Sequence, residues 1–134
     1  MKKEILIIDF EPTILELLGF ILSKDYNLTL KPNCYDALLW LENRTNPDLI
    51  LMDIEMPCFD GREFIKSLKV SGFYRNIPIV LLTNIDVSLL VEDISFRSID
   101  ASIKKPFNPI RLKEKIGEIL QKKNTENELE RFYN

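Results

Sequence analysis

The chain contains no histidine, and only two cysteines, four glycines and one tryptophan among its 134 residues. Without histidine, a zinc site and a Ser-His or Cys-His catalytic pair are excluded, so any catalysis must use carboxylates, hydroxyls or amines. Cys34 and Cys58 make no disulfide framework, and both are read as reduced thiols. No apolar run is long enough to span a bilayer. Met1-Lys2-Lys3 leads into an acidic, strand-like stretch and not into a signal-peptide core, so no membrane association and a cytoplasmic location are expected. The net charge is only -3, and Lys and Arg are scattered, which argues against direct nucleic acid binding. What is present, 46% hydrophobic and 29% charged residues, suits one compact domain with a sizeable core.

The most informative stretch is Leu49-Ile50-Leu51-Met52-Asp53, an apolar run that reads as a buried parallel strand and ends in a carboxylate. Glu4 to Asp9 has the same form, so two strands end in aspartate. Pro12 suits a first helical turn, and Ile14, Leu15, Leu17, Leu18, Ile21 and Leu22 then recur at helical spacing. A short strand over Asn27 to Leu30 and a helix over Tyr35 to Leu41 follow. Pro57 and Asp60-Gly61 supply turn chemistry after Asp53, before a helix over Gly61 to Leu68 that Gly72 ends. Ile77 to Thr83 is a further apolar strand, Val87 to Arg97 a fourth helix, Ala101 to Ile103 a last strand and Ile110 to Leu120 a last helix. Alternation of this kind predicts an α/β fold, a parallel sheet with helices on both faces. Residues 1–121 are expected to form the domain, with 122–134 a polar C-terminal tail, either a helix extension or a frayed end.

In an open α/β sheet, sites form at the carboxyl ends of the strands. Asp9, Asp53, Thr83 and Lys105 all stand there. Singly each has an ordinary explanation as a cap, a turn residue or a solvated charge, but together they converge on one rim. Two neighbouring carboxylates repel, and a hard divalent cation relieves that repulsion; Mg²⁺ binds through one or two carboxylates with water and phosphate oxygens. The set therefore favours phosphoryl transfer, with Asp53 the nucleophile, Lys105 paired with a phosphoryl oxygen and the Thr83 hydroxyl bonded to another.

These motifs resemble the receiver domain of two-component response regulators from Lys3 to Leu120. The likeness rests on Ile7-Ile8-Asp9, on Pro47 to Pro57 with Asp60-Gly61, on Pro78 to Thr83, and on Lys104-Lys105-Pro106-Phe107. It implies a CheY-like, five-stranded parallel sheet of order 2-1-3-4-5 flanked by five helices. It also implies Asp53 as phosphoacceptor, a cis bond between Lys105 and Pro106, Thr83 as switch hydroxyl, and Mg²⁺ held by Asp9, Asp53 and the backbone carbonyl of Glu55. By the same likeness the phosphoryl donor is a histidine kinase or phosphotransfer protein, and the partner is a downstream protein that meets a face made by the fourth helix, fifth strand and fifth helix. The chain would be no enzyme beyond promoting its own phosphorylation and dephosphorylation.

Several positions depart from the family pattern. Phe10 stands where a second acid normally follows Asp9, so weakened Mg²⁺ binding is expected, and Ser102 stands where an aromatic residue partners the threonine. Asn84 and Ser98-Ile99 replace the usual small residues. Two alternatives follow: a pseudo-receiver that works as a phosphorylation-independent interaction module, and, behind it, a haloacid-dehalogenase-like phosphatase, which this short chain lacks the further acids and cap to build. A flavodoxin-like cofactor binder would need a Ser/Thr-rich loop where Phe10-Glu11-Pro12 stands. Val87, Leu90, Val91, Ile94 and Phe96 mark the fourth helix as a docking face, with a monomer or weak homodimer expected.

Overall fold

The computed structural model describes residues 1–43, 46–55, 61–84 and 98–133. In chain order these form β1 (Lys3–Ile8), α1 (Pro12–Leu22), β2 (Tyr26–Lys31), α2 (Cys34–Glu42), β3 (Leu49–Met52), α3 (Gly61–Val70), β4 (Ile79–Thr83), β5 (Ala101–Lys104) and α4 (Pro109–Tyr133). All strand pairs are parallel, and the sheet order is β2-β1-β3-β4-β5. The expected order is thus the observed one, and four helices flank the sheet among the described residues. The helix expected over Val87 to Arg97, with its proposed docking face, lies outside them, as do Met56, Pro57, Cys58, Phe59 and Asp60.

The central strands are apolar at every position because both faces of the sheet are covered. Leu6, Ile8, Ile50, Met52, Ile79 and Leu81 point to one side, where Ala37 and Leu41 of α2 and Phe64, Ile65 and Leu68 of α3 pack on them. The alternate residues Ile5, Ile7, Leu49, Leu51, Val80 and Leu82 point to the other side, against Leu18 and Leu22 of α1 and Leu112, Ile116 and Leu120 of α4. The period of two along each strand thus builds two cores from one sheet.

Element ends follow local chemistry. Pro12 opens α1, its missing N–H being one the first turn leaves unbonded in any case. Asn33 caps α2 by accepting from the Asp36 N–H at 2.7 Å. Gly61 is the first residue of α3 and not only a turn residue, while Gly72 lies in the turn beyond its end. The last helix runs well past Leu120, where the apolar periodicity stops, to Tyr133. Its polar continuation is tied to the domain where Lys3 Nζ donates to Asn124 Oδ1 at 3.1 Å. Two carboxylates fasten the amino-terminal end of the sheet. Asp48 accepts from the Glu4 N–H at 2.7 Å, and Asp100 accepts from the Ile79 N–H at 2.9 Å.

Candidate functional site

Strand register places the site. Ile8 pairs with Met52, so Asp9 and Asp53 leave β1 and β3 side by side, at the point where the chain turns to opposite edges of the sheet. Thr83 pairs with Lys104 across β4 and β5, and Lys105 follows at once, its N–H donating to the Thr83 carbonyl at 3.0 Å. The Lys105–Pro106 peptide is cis, as the sequence likeness implies.

The side chains converge out of solvent. Asp9, Asp53 and Thr83 are each 1% exposed and Lys105 9%. Lys105 Nζ donates to Asp9 Oδ2 and to Asp53 Oδ2, both at 2.9 Å. The remaining oxygens are held by the backbone: Asp9 Oδ1 accepts from the Glu11 N–H at 3.0 Å and Asp53 Oδ1 from the Glu55 N–H at 2.9 Å. Each carboxylate is therefore fixed at both oxygens, and one ammonium bridges the pair. Burial opposes the charge on Lys105, but the hydrogen bonds to Asp9 and Asp53, reinforced by their negative charges, prevail and raise its pKa above the ordinary lysine value.

Glu11, the acid that follows Phe10 in the sequence, also stands near the site. Glu11 Oε1 lies 3.9 Å from Lys105 Nζ, with its side chain 40% exposed. Phe10, between the two acids, is 41% exposed and carries no charge. Ser102 is exposed on β5, the edge strand, opposite Leu81. Glu55 places its backbone N–H on Asp53, and its side chain is exposed.

Asp9 and Asp53 present hard oxygen donors at one point, and Mg²⁺ is bound through one or two such carboxylates. Among the described residues no group of three or more acids or cysteines is arranged to hold a metal ion.

The backbone just after Asp53 is tightly packed against Gly61. A Cβ there would come within 2.8 Å of Ile54 Cα and 3.0 Å of the Ile54 carbonyl oxygen, both of them backbone atoms next to Asp53. Gly61→Ala is expected to destabilise the fold by about 1–3 kcal/mol, the usual cost of overpacking. It should also shift the Asp53 and Glu55 amide resonances. Urea unfolding together with an amide spectrum checks both effects, and unchanged stability would contradict the packing described.

Comparison with known proteins agrees with this architecture. The family model for the response regulator receiver domain matches residues 5–117. The phosphate regulon transcriptional regulatory protein PhoB of Escherichia coli (strain K12) is 31% identical over 126 residues, covering 91% of this chain and 53% of that protein. Response regulator GtcR of Aneurinibacillus migulanus is 36% identical over 114 residues, covering 82% of this chain and 44% of that protein. The chain spans about half the length of the curated relatives it matches. Among solved structures, a CheY-like receiver domain from Methanospirillum hungatei JF-1 superposes with a TM-score of 0.84 at 30% identity, covering 94% of this chain and 99% of that one. With the sheet order, the buried pair of aspartates and the bridging lysine in place, the chain belongs to the response regulator receiver domain family of two-component systems.

Proposed function

We propose that the domain accepts a phosphoryl group on Asp53 from the phosphohistidine of a histidine kinase or phosphotransfer protein. The observation that carries this reading is the Lys105 ammonium 2.9 Å from both Asp9 and Asp53, which gathers a nucleophile, a second acid and a cation out of solvent. A carboxylate oxygen of Asp53 attacks phosphorus, an O–P bond forms, and the N–P bond of the donor breaks. The imidazole leaves with the bonding electron pair and takes up a proton, and the product is an acyl phosphate. Lys105 then pairs with a phosphoryl oxygen, and the Thr83 hydroxyl binds another.

Receiver domains generally take Mg²⁺, and here Asp9, Asp53 and the Glu55 carbonyl are the groups that would hold it. Bound there, Mg²⁺ supplies neutralisation of the charge on the transferring group. The domain turns over no separate substrate and promotes only its own phosphorylation and dephosphorylation. Its output goes to a downstream protein partner through the face around β5 and α4. A groove of about 440 Å³ supports that assignment; Ser102, Lys104, Phe107, Arg111 and Lys115 line it. No helix among the described residues is long and apolar enough to cross a membrane.

Beryllofluoride, which mimics the acyl phosphate, tests the reading. With Mg²⁺ it should cause saturable amide shifts around Asp53, Thr83 and Lys105, and Asp53→Asn should abolish them. No response from the wild-type domain at high Mg²⁺ would overturn phosphoacceptance.

A further inference from the structure

Three carboxylates face Lys105, and they are not equivalent. Asp9 and Asp53 are buried and bonded at 2.9 Å, whereas Glu11 stands 3.9 Å away with a half-exposed side chain. An ammonium has three N–H donors, and the two aspartates use two of them. Glu11 is also anchored where it matters. Its carbonyl accepts from the Ile14 and Leu15 N–H groups at the start of α1, and its own N–H donates to Asp9 Oδ1. Its backbone is therefore fixed beside the pocket, and its carboxylate reaches toward Lys105 from the solvent side.

We infer that Glu11 is a positioning residue that receives the Lys105 ammonium when a divalent cation takes over Asp9 and Asp53. This rests on the reading of the pocket as one that binds Mg²⁺ for phosphoryl transfer. Lys105 is the cation that bridges the two buried aspartates in the structure, bonded to one oxygen of each. Mg²⁺ binds carboxylate oxygens at 2.0–2.1 Å, so an ammonium retained on the same oxygens would repel it strongly in a buried setting. Lys105 must give way, yet a buried ammonium stripped of its partners is itself unfavourable. Glu11 resolves the conflict, because a small movement of either side chain closes the 3.9 Å gap to hydrogen-bonding distance. Phe10, which takes the place of an acid, offers no such counter-charge. Lys105 and the metal are thus competitors for one pair of carboxylates, and Glu11 sets the terms of their exchange without ligating the metal.

Mg²⁺ titration followed by the Asp9 and Asp53 amide shifts, with no phosphoryl donor present, tests this. Lys105→Met should bind Mg²⁺ at least about tenfold more tightly, since the competing ammonium is gone, and Glu11→Gln should bind it roughly tenfold more weakly, the scale on which groups around a metal's ligands act. In the Lys105→Met background, Glu11→Gln should have no further effect. Weakening by Glu11→Gln that persists in that background would make Glu11 a ligand and overturn the inference. So would unchanged Mg²⁺ affinity in Glu11→Gln alone, a solvent-facing change that decides the matter even where Lys105→Met folds poorly. A wild-type domain that answers beryllofluoride but shows no Glu11 effect keeps phosphoacceptance and removes only this exchange. Absence of saturable Mg²⁺ shifts in both the wild type and Lys105→Met removes the exchange, whatever beryllofluoride shows.

Discussion

Lys105→Met is expected to lower the stability of the domain by about 3–5 kcal/mol at neutral pH, the usual result of removing one partner from a buried ion pair. The aliphatic part of the side chain is largely preserved by methionine, so lost packing contributes little. The dominant effect is on Asp9 and Asp53, which remain buried side by side without the ammonium that bridges them. Urea unfolding should show a lower midpoint with an unchanged slope, since the surface exposed on unfolding stays the same. Adding Asp53→Asn to Lys105→Met should recover part of the loss by removing one uncompensated charge. The pH dependence has a definite sign. The pKa of Lys105 in the folded domain is raised above its ordinary value of 10.5, so its contribution is fully present below that value and is lost as pH rises through the higher folded pKa. The gap between wild type and Lys105→Met should therefore be full at neutral pH and close only in strong alkali. A loss below about 1 kcal/mol, the value of an exposed pair, would mean that the bridge is solvated and not buried.

The members of this bridge are legible in the sequence for a physical reason. Asp9, Asp53 and Thr83 each end a continuous apolar run, and such runs mark strands buried on both faces whose carboxyl ends share one rim. Register supplies the rest: Ile8 opposite Met52 sets Asp9 beside Asp53, and Met52 opposite Leu81 with Thr83 opposite Lys104 puts Thr83 one residue and Lys105 two residues further along the same rim. Glu11 is different. It lies in a polar loop with no periodicity, and only the folded path from β1 into α1 shows that its carboxylate faces Lys105. Asp48 and Asp100 escape notice likewise, because a carboxylate before a strand has the same local appearance whether it is solvated or accepts an N–H from the neighbouring strand. The last helix continues past Leu120 into the tail, the extension and not the frayed end, and its amphipathic pattern stops earlier because that pattern reports burial against the sheet. Backbone hydrogen bonding continues to Tyr133 along residues that have no core to face.

Phe10→Asp is expected to raise Mg²⁺ affinity by about 10–100-fold. Phe10 follows Asp9 directly and is 41% exposed, so its replacement removes little packing, and the fold should change in stability by no more than about 0.5 kcal/mol in the presence of the ion. The new carboxylate would stand at the mouth of a pocket where Asp9, Asp53 and Glu11 already outnumber the one ammonium of Lys105. Without a divalent cation, this added like charge should destabilise the variant relative to wild type, and Mg²⁺ should reverse the order. Thermal melts with and without Mg²⁺ read that crossing, and calorimetric titration reads the affinity. Phe10→Ala separates two causes. If the ring merely obstructs the site, alanine will restore Mg²⁺ binding as well as aspartate does; if a ligand is missing, alanine will leave affinity at the wild-type level. The second outcome is expected, because an exposed ring beside a pocket of three acids withholds a donor and leaves the approach open. Equal affinity in all three proteins would show that the carboxylate count at the mouth does not limit metal binding, and that the Lys105 bridge alone does.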